Sequence, residues 1–191
     1  MGVDLKDGEI DYSGPLATAP RREEALIAAA AFYLCGIAWT AAKELAHKAY
    51  DEADDSMTPP YGSVLLEGVM EALKRLDEHG LKLAIASTDT HRRTVESFEA
   101  LGIDSFFDEI DGGDDVVNGK PSAEMILRIC KKTRSKPVEA VMVGDSVSDM
   151  QMGKNAKVKA CIGVLTGSSP REKLEQAADV VLASVKDLHV G

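Results

Sequence analysis

Two aspartates lie four residues apart directly behind a short hydrophobic run, in the segment VMVGDSVSDM at 141–150. Mg²⁺ prefers hard oxygen ligands and needs only one or two carboxylates from a protein, so Asp145 is a candidate metal ligand. Asp149 falls one turn into the following helix on the same side, where it could hold a metal-bound water or orient a lysine. The alternative is structural: Asp145 or Ser146 caps the helix, and Asp149 is favoured there by the positive end of the helix dipole.

A lysine and a serine could supply the other groups of a phosphoryl site. Lys120 stands between a glycine and a proline in NGKPS, which would position its ammonium to neutralise charge that develops during phosphoryl transfer. Ser87 ends the apolar run of IASTDT, and its hydroxyl with the following backbone N–H groups, beginning at Thr88, could hold a phosphate oxygen. The alternatives are a solvated surface lysine and a serine that only caps a helix. Lys120, Ser87 and Thr88 are therefore candidate phosphate-binding residues, the first two also with a catalytic role.

The residues that must position these groups alternate between strand and helix patterns. Apolar runs such as LKLAIAS, EAVMVGD and KACIGVL indicate buried strands, and amphipathic segments such as PSAEMILRICKKT separate them, with Pro121 expected in a first helical turn. This alternation predicts an α/β fold, a doubly wound parallel sheet covered on both faces. Ligands bind beyond the carboxyl ends of such strands. That rule selects Ser87, Asp145 and the loop that bears Lys120.

Residues 12–62 are different in character, alanine-rich and helical in pattern, and they end at the turn signal MTPPYG. This pattern predicts that residues 12–62 form a separate helical lobe. The apolar stretch 25–42 reaches the length of a membrane-spanning helix, but its many alanines, Gly36 and the flanking charges predict a buried helix or helix pair.

The net charge and the cysteine content indicate which partners and which cellular compartment to expect. The net charge of −10 argues against a nucleic-acid-binding surface, which needs clustered lysines and arginines, and equally against an anionic membrane surface. The three cysteines show no CxxC spacing, and the chain opens without a signal-peptide pattern. We therefore expect a cytoplasmic protein with reduced thiols.

The order of strand-end hydroxyl, lysine and Asp-x-x-x-Asp resembles the haloacid dehalogenase-like (HAD) superfamily, especially its phosphoglycolate-phosphatase-like members. Ser87 matches the family's second motif, Lys120 in GKPS the third, and VGDSVSDM the fourth. The likeness extends over about residues 61–188. It implies a Mg²⁺ cofactor held by Asp145, with Asp149 as its acidic companion. It also implies a HAD-like Rossmannoid core at 63–191 and a small helical cap at 12–62.

The family's first motif, Asp-x-Asp-Gly-Thr, is missing or degenerate in residues 1–11. In the family its first Asp attacks phosphorus to form an aspartyl-phosphate, and its second is the general acid and base. In VDLKDGEID, Asp4 could stand for the nucleophile and contribute to the metal site, but Lys6 then takes the acid–base place. If Asp7 takes that place instead, Leu5 stands where the nucleophile belongs.

Three explanations stay open for this departure. The chain is shortened relative to a complete enzyme, or it is a natural member that has lost catalysis, or residues 2–5 form the strand and Asp4 works in an altered site. A missing central strand would leave unpaired backbone groups on its two neighbours, which is costly when buried. We therefore expect residues 2–5 or another chain to fill that position, and unpaired edges would favour a homodimer.

The leading hypothesis is a Mg²⁺-dependent phosphatase that hydrolyses a small phosphomonoester through an aspartyl-phosphate. Its partner would be a small phosphorylated metabolite, with neither nucleic acid nor membrane involved. The alternative hypothesis is a catalytically inactive HAD-like module, truncated or degenerate, that binds a phospholigand or a protein partner.

Overall fold

The computed structural model describes Gly14 and residues 19–190, and the chain divides into two compact units, Met1–Gly62 and Ser63–Gly191. The division falls directly after the turn signal MTPPYG. The other expected boundary, between residues 11 and 12, lies outside the described residues. That the first unit acts as a cap stays a prediction.

The described part of the first unit contains two helices, α1 (Arg21–Leu34) and α2 (Trp39–Ser56), which pack against each other. Buried alanines lie on both helices and let their backbones approach closely; they are Ala25, Ala29, Ala42 and Ala46. At the N-terminal end of α1, Arg21 forms ion pairs with Glu24 and Asp54. These contacts hold the two helices together as a pair.

A glycine-based helix end separates α1 from α2. Gly36 has φ +91°, the N–H of Gly36 donates to the carbonyl of Tyr33 at 2.9 Å, and the N–H of Ile37 donates to the carbonyl of Phe32 at 3.2 Å. This is the Schellman motif that ends many helices. The predicted helix pair at 25–42 is therefore confirmed, but its expected burial is wrong, because Tyr33 and Leu34 are 55% and 84% exposed. No helix within residues 19–190 is long and apolar enough to cross a membrane.

The second unit alternates strands and helices along the chain. In chain order they are α3 (Val69–Glu78), β1 (Ala84–Ala86), α4 (His91–Leu101), β2 (Glu109–Asp111), α5 (Glu124–Thr133), β3 (Val141–Gly144), α6 (Val147–Ala156), β4 (Ala160–Val164), α7 (Arg171–Ala177) and β5 (Val180–Leu182). Short 3₁₀ helices lie at Asp104–Phe106, Pro137–Glu139 and Val185–Asp187. The predicted α/β class, with helices between parallel strands, is confirmed.

All pairings between the described strands are parallel. β1 pairs with β2, and β4 lies between β3 and β5. Ser87 and Asp145 each follow directly at the carboxyl end of a strand, β1 and β3 respectively. Among the described strands, β1 and β3 each have one hydrogen-bonded neighbour. Residues 2–5, which were expected to fill the position between them, lie outside the described residues, so that expectation stays a prediction.

Helix α6 is anchored on two sides by buried side chains. On one side Met152 and Ala156 join a cluster that contains Met125, Ile126 and Cys130 of α5, and on the other Met150 packs with Cys161 and Leu174. Ala86 of β1 and Met142 of β3 both pack against the first cluster, so one core serves both groups of strands. A firmly packed α6 holds its own N-terminus, and with it Asp149, in place.

One local prediction is wrong. Helix α5 begins at Glu124 rather than in the turn that contains Pro121. The N–H of Ser122 donates to the carbonyl of Gly119 at 2.9 Å, and the hydroxyl of Ser122 accepts the N–H of Glu124 at 3.3 Å. A tight turn therefore occupies positions 119–122, and the helix follows it.

Candidate active site

Asp145 lies two residues before α6, and Asp149 is the third residue of that helix. Ser146 is the N-cap of the helix, and its hydroxyl accepts the N–H of Asp149 at 3.1 Å. In return, Oδ2 of Asp149 accepts the N–H of Ser146 at 3.1 Å and its O–H at 2.7 Å. This capping box satisfies donors at the helix start. The structural alternative is thus correct for Ser146, and the same bonds fix the orientation of Asp149.

An ion pair joins the predicted loop lysine to this helix. Nζ of Lys120 lies 2.7 Å from Oδ1 of Asp149, and the two side chains are only 13% and 5% exposed. The alternative of a solvated surface lysine is therefore wrong. Gly144 makes room for the pair, because a Cβ there would lie 2.5 Å from the Cβ of Asp149. With Ser146 on Oδ2 and Lys120 on Oδ1, the contacts of Asp149 favour its lysine-orienting role.

The loop before Lys120 is held by the first residue of α5. Glu124 accepts the N–H groups of Val117 and Asn118, both at 2.9 Å, and the side-chain amide of Asn118 at 3.0 Å. These hydrogen bonds, from Val117 first, hold the pKa of Glu124 below its ordinary value. On the other side of the loop, the side-chain amide of Asn155 donates to the carbonyl of Pro121 at 2.9 Å. Lys120 is therefore presented by a loop fixed at both ends.

Asp145 uses one of its carboxylate oxygens for protein contacts. Oδ2 accepts the N–H of Ser168 at 2.7 Å and its hydroxyl at 2.9 Å. Within the described part of the chain, Oδ1 has no hydrogen-bond or ion-pair partner. Mg²⁺ takes hard oxygen ligands, keeps several waters and needs one or two carboxylates. Oδ1 of Asp145, which has no partner among the described residues, is an oxygen ligand of the kind that Mg²⁺ requires.

Ser87 is placed to donate a hydrogen bond beyond β1. Its N–H donates to the carbonyl of Asp111, which continues the pairing of β1 with β2, and its Oγ accepts the N–H of Asp89 at 3.1 Å. The hydroxyl hydrogen thus stays available for an acceptor such as a phosphate oxygen. The N-cap of α4 is Thr90, whose side chain accepts the N–H of Arg93, so the alternative that Ser87 caps this helix is wrong.

The Ser87 loop is fastened to the loop after β2. A Cβ on Gly113 would lie 2.5 Å from the carbonyl oxygen of Thr88, so the two loops touch through glycine. Nδ1 of His91 lies 2.8 Å from Oδ2 of Asp115, and Arg128 donates to the other oxygen at 2.9 Å. Burial alone would raise the pKa of Asp115, but hydrogen bonds from Gly112 and His91, with the charge of Arg128, hold it below its ordinary value.

The structure brings the predicted residues together only in part. Lys120 contacts Asp149, and Asp145 is four residues away along the same segment. Within the described residues, no hydrogen bond or ion pair joins Ser87 to Lys120, Asp145 or Asp149. What Ser87 and Asp145 share is their position, since each directly follows the carboxyl end of a parallel strand, β1 or β3. Asp4, the candidate nucleophile, lies outside the described residues, and its role stays a prediction.

Ser168 and its neighbours Gly167 and Ser169 were not among the residues predicted from the sequence. They follow β4 in the segment TGSSP, at the same edge of the sheet as Asp145. The rule that ligands bind beyond the carboxyl ends of parallel strands, applied to this strand as well, would have selected them.

A family model described as haloacid dehalogenase-like hydrolase matches residues 32–163. The chain therefore belongs to the haloacid dehalogenase-like hydrolases. This confirms the resemblance read from Ser87, Lys120 and the segment VGDSVSDM.

Curated relatives carry names of phosphate-releasing enzymes. The chain is 38% identical over 136 residues to a pyrophosphatase PpaX of Halalkalibacterium halodurans, a match that covers 70% of this chain and 60% of that protein. It is 31% identical over 121 residues to a phosphoglycolate phosphatase of Psychrobacter arcticus, which covers 60% of this chain and 53% of the relative. The matches thus span 60% and 53% of the length of these relatives.

Solved structures support the fold. A protein described as a haloacid dehalogenase-like hydrolase from Bacteroides fragilis superposes with a TM-score of 0.68 at 22% identity, covering 89% of this chain and 83% of its own. A hydrolase from Pseudomonas syringae gives a TM-score of 0.62 at 26% identity, and the match covers 85% of this chain and 74% of that protein. The parallel α/β core described above is therefore the core of this family.

Proposed function

We propose that the protein is a phosphatase that hydrolyses a small phosphorylated metabolite at the carboxyl ends of β1 and β3. The observation that carries the proposal is the buried ion pair of Lys120 and Asp149. It lies beside Asp145 in the chain, and one carboxylate oxygen of Asp145 has no partner among the described residues. A fixed cation next to a hard oxygen donor suits a phosphoryl group and a divalent metal ion. The names of the relatives, pyrophosphatase and phosphoglycolate phosphatase, support the same class of reaction.

Each residue has a proposed task. Asp145 would hold Mg²⁺, which when bound neutralises charge on the phosphoryl group. Lys120 binds a phosphoryl oxygen from another side, and Asp149 keeps the lysine in position through the contact of 2.7 Å. Ser87 donates its free hydroxyl hydrogen to a further phosphoryl oxygen, and the N–H of Thr88 lies next to it in the chain.

The proposed route uses a carboxylate of the chain as nucleophile. An oxygen of Asp4 would form a bond to phosphorus while the bond from phosphorus to the leaving group breaks, and the leaving oxygen would take a proton from solvent water. A water molecule would then attack phosphorus and break the bond to Asp4, which restores the carboxylate and releases inorganic phosphate and a proton to solvent. Lys120 and Ser87 would stabilise the phosphoryl oxygens in both steps.

Phosphate release tests the proposal. The parent chain should release inorganic phosphate from p-nitrophenyl phosphate or from pyrophosphate in the presence of Mg²⁺. Lys120→Met should lower kcat/KM by about 100-fold or more, the usual loss when one group that stabilises developing charge is removed. The matched control is Lys136→Met, because Lys136 is 76% exposed and pairs only with Glu139 among the described residues.

The outcomes separate the proposal from the inactive-module alternative. Asp145→Asn and Asp4→Asn should each abolish turnover if the assigned metal ligand and nucleophile are correct. A parent chain that stays inert with both substrates at high protein concentration would contradict hydrolysis. In that case inorganic phosphate binding, measured by calorimetry on parent and Lys120→Met, would test the remaining role as a phospholigand-binding module.

We further propose a cytoplasmic location, with a small phosphorylated metabolite as partner and neither nucleic acid nor membrane. The acidic net charge and the free cysteines Cys35, Cys130 and Cys161 support this assignment. A homodimer is proposed because β1 and β3 each have a single hydrogen-bonded neighbour among the strands that the structure describes. Light scattering after size exclusion tests it, and a monomer mass at working concentration would contradict it.

A further inference from the structure

The segment Gly167–Ser169, which follows β4, wraps around Asp145. Ser168 donates both its N–H, at 2.7 Å, and its O–H, at 2.9 Å, to the same oxygen, Oδ2 of Asp145. The N–H of Ser169 donates to the backbone carbonyl of Asp145 at 3.2 Å, and the hydroxyl of Ser169 accepts the N–H of Val147 at 3.2 Å. One short segment therefore holds Asp145 by its main chain and by its side chain.

Gly167 permits this close approach. A Cβ at position 167 would lie 2.1 Å from Oδ2 of Asp145 and 2.3 Å from its Cγ. Real Cβ atoms do not come this close to a carboxylate, so any side chain at 167 would displace either the segment or Asp145. The contact between the loops after β3 and β4 thus depends on glycine here.

Two donors on one oxygen restrict the carboxylate of Asp145. Hydrogen bonds to an ionised carboxylate are stronger than those between neutral groups, and here both come from Ser168. With Oδ2 held, rotation of the carboxylate group would break both bonds. Oδ1, which has no partner within the described residues, is thereby kept in one orientation. The two oxygens of Asp145 have separate tasks, one for anchoring and one for a ligand.

We infer that Ser168 is a positioning residue that orients Asp145 for a divalent cation. The inference rests on the proposed function, because it takes Asp145 as the metal ligand. Ser168 acts through Asp145 and does not itself contact the substrate. Loss of a partner that orients a metal ligand typically weakens metal binding by about 10–100-fold. Ser168→Ala removes the O–H and keeps the N–H, so we expect the Mg²⁺ dissociation constant to rise by about 10-fold.

Isothermal titration of MgCl₂ into the full chain tests the inference without relying on turnover. The variants are Ser168→Ala, Ser168→Thr, which restores a hydroxyl, and Asp145→Asn. Ser184→Ala is the matched control: Ser184 follows β5 and its hydroxyl accepts the N–H of Lys186 at 3.4 Å. We expect Ser168→Thr to bind Mg²⁺ close to the parent value. Ser184→Ala should lower the urea midpoint without changing the Mg²⁺ dissociation constant.

The outcomes distinguish this inference from the proposed function. If Ser168→Ala binds Mg²⁺ as tightly as the parent while Asp145→Asn does not bind, the inference is overturned and the proposed function stands. Equal weakening by Ser168→Ala and Ser184→Ala would also overturn it, since both would then act only through stability. A parent that binds no Mg²⁺, or an Asp145→Asn variant that binds normally, would overturn both. Should Ser168→Ala fail to fold, Ser168→Cys, with its weak donor, takes its place in the same comparison.

Discussion

Replacing Asp149 by asparagine is expected to destabilise the second unit strongly, because the ammonium of Lys120 then stays buried without an ion-pair partner among the described residues. In the native fold Nζ of Lys120 and Oδ1 of Asp149 lie 2.7 Å apart, with side chains 13% and 5% exposed. Removing one partner of a buried pair costs about 3–5 kcal/mol. The small exposure of Lys120 admits some water, so we expect a loss of about 3 kcal/mol in the free energy of unfolding.

Substituting the other partner of the pair, Lys120, should lower the free energy of unfolding by less. Lys120→Met leaves the carboxylate of Asp149 with the N–H and O–H of Ser146, at 3.1 Å and 2.7 Å, so we expect a loss of about 1–2 kcal/mol. The double variant should be at least as stable as Asp149→Asn alone, because it no longer buries an unpaired ammonium. The expected coupling energy between the two positions is about 2 kcal/mol.

Urea-induced unfolding followed by circular dichroism measures all three free energies. The control cycle uses the exposed pair Lys136 and Glu139, whose ion-pair distance is 3.5 Å; there we expect coupling below about 1 kcal/mol. Effects at Lys120 and Asp149 that add to within about 0.5 kcal/mol would refute the reasoning, because they would show that the two side chains do not depend on each other.

Three further substitutions test the surroundings of the site by urea unfolding. Gly144→Ala should cost about 1–3 kcal/mol, because its Cβ would lie 2.5 Å from the Cβ of Asp149; an unchanged midpoint would contradict that packing. Asp111→Asn should cost about 2 kcal/mol, because a fully buried carboxylate loses charge-assisted bonds to Arg128 and Lys132; a loss below about 0.5 kcal/mol would argue against them. Glu124 has a pKa below its ordinary value, so its stabilisation is present above the unfolded-state pKa and disappears as pH falls through the folded-state pKa. Glu124→Gln should therefore be less stable than the parent at neutral pH and converge with it in acid, and a constant difference at all pH values would contradict this.

Much of the fold could be predicted from the chain because its signals are local. The helical pattern that closes at a glycine predicts α4, and Gly102 indeed ends it with φ +68°. Short apolar runs predict the parallel strands, although β1 has three residues where the run LKLAIAS has seven. The start of α5 was not predicted, because two contacts keep the preceding residues out of the helix: the N–H of Ser122 donates to the carbonyl of Gly119, and the carboxylate of Glu124 accepts the N–H of Val117.

The candidate site residues were predicted from their positions at strand ends, and the contacts between them came from the structure. Ser87, Asp145 and the loop of Lys120 follow from one rule about strand ends. The choice of cap did not follow, since Thr90 rather than Ser87 caps α4. Ser168 was missed because the same rule was not applied to the end of β4, and its distances of 2.7 Å and 2.9 Å to Asp145 then revealed the contact.

By itself, the sequence determined the α/β class, the strand ends that carry polar groups and the candidate residues for binding phosphate or Mg²⁺. These depend on periodicity and on neighbours in the chain, which the order of residues encodes directly. Only the tertiary structure decided that Lys120 pairs with Asp149 and that Ser168 holds Asp145. Those pairings join loops that are remote in sequence, and they arise because α6 is packed between α5 and β4, which brings the three loops to one edge.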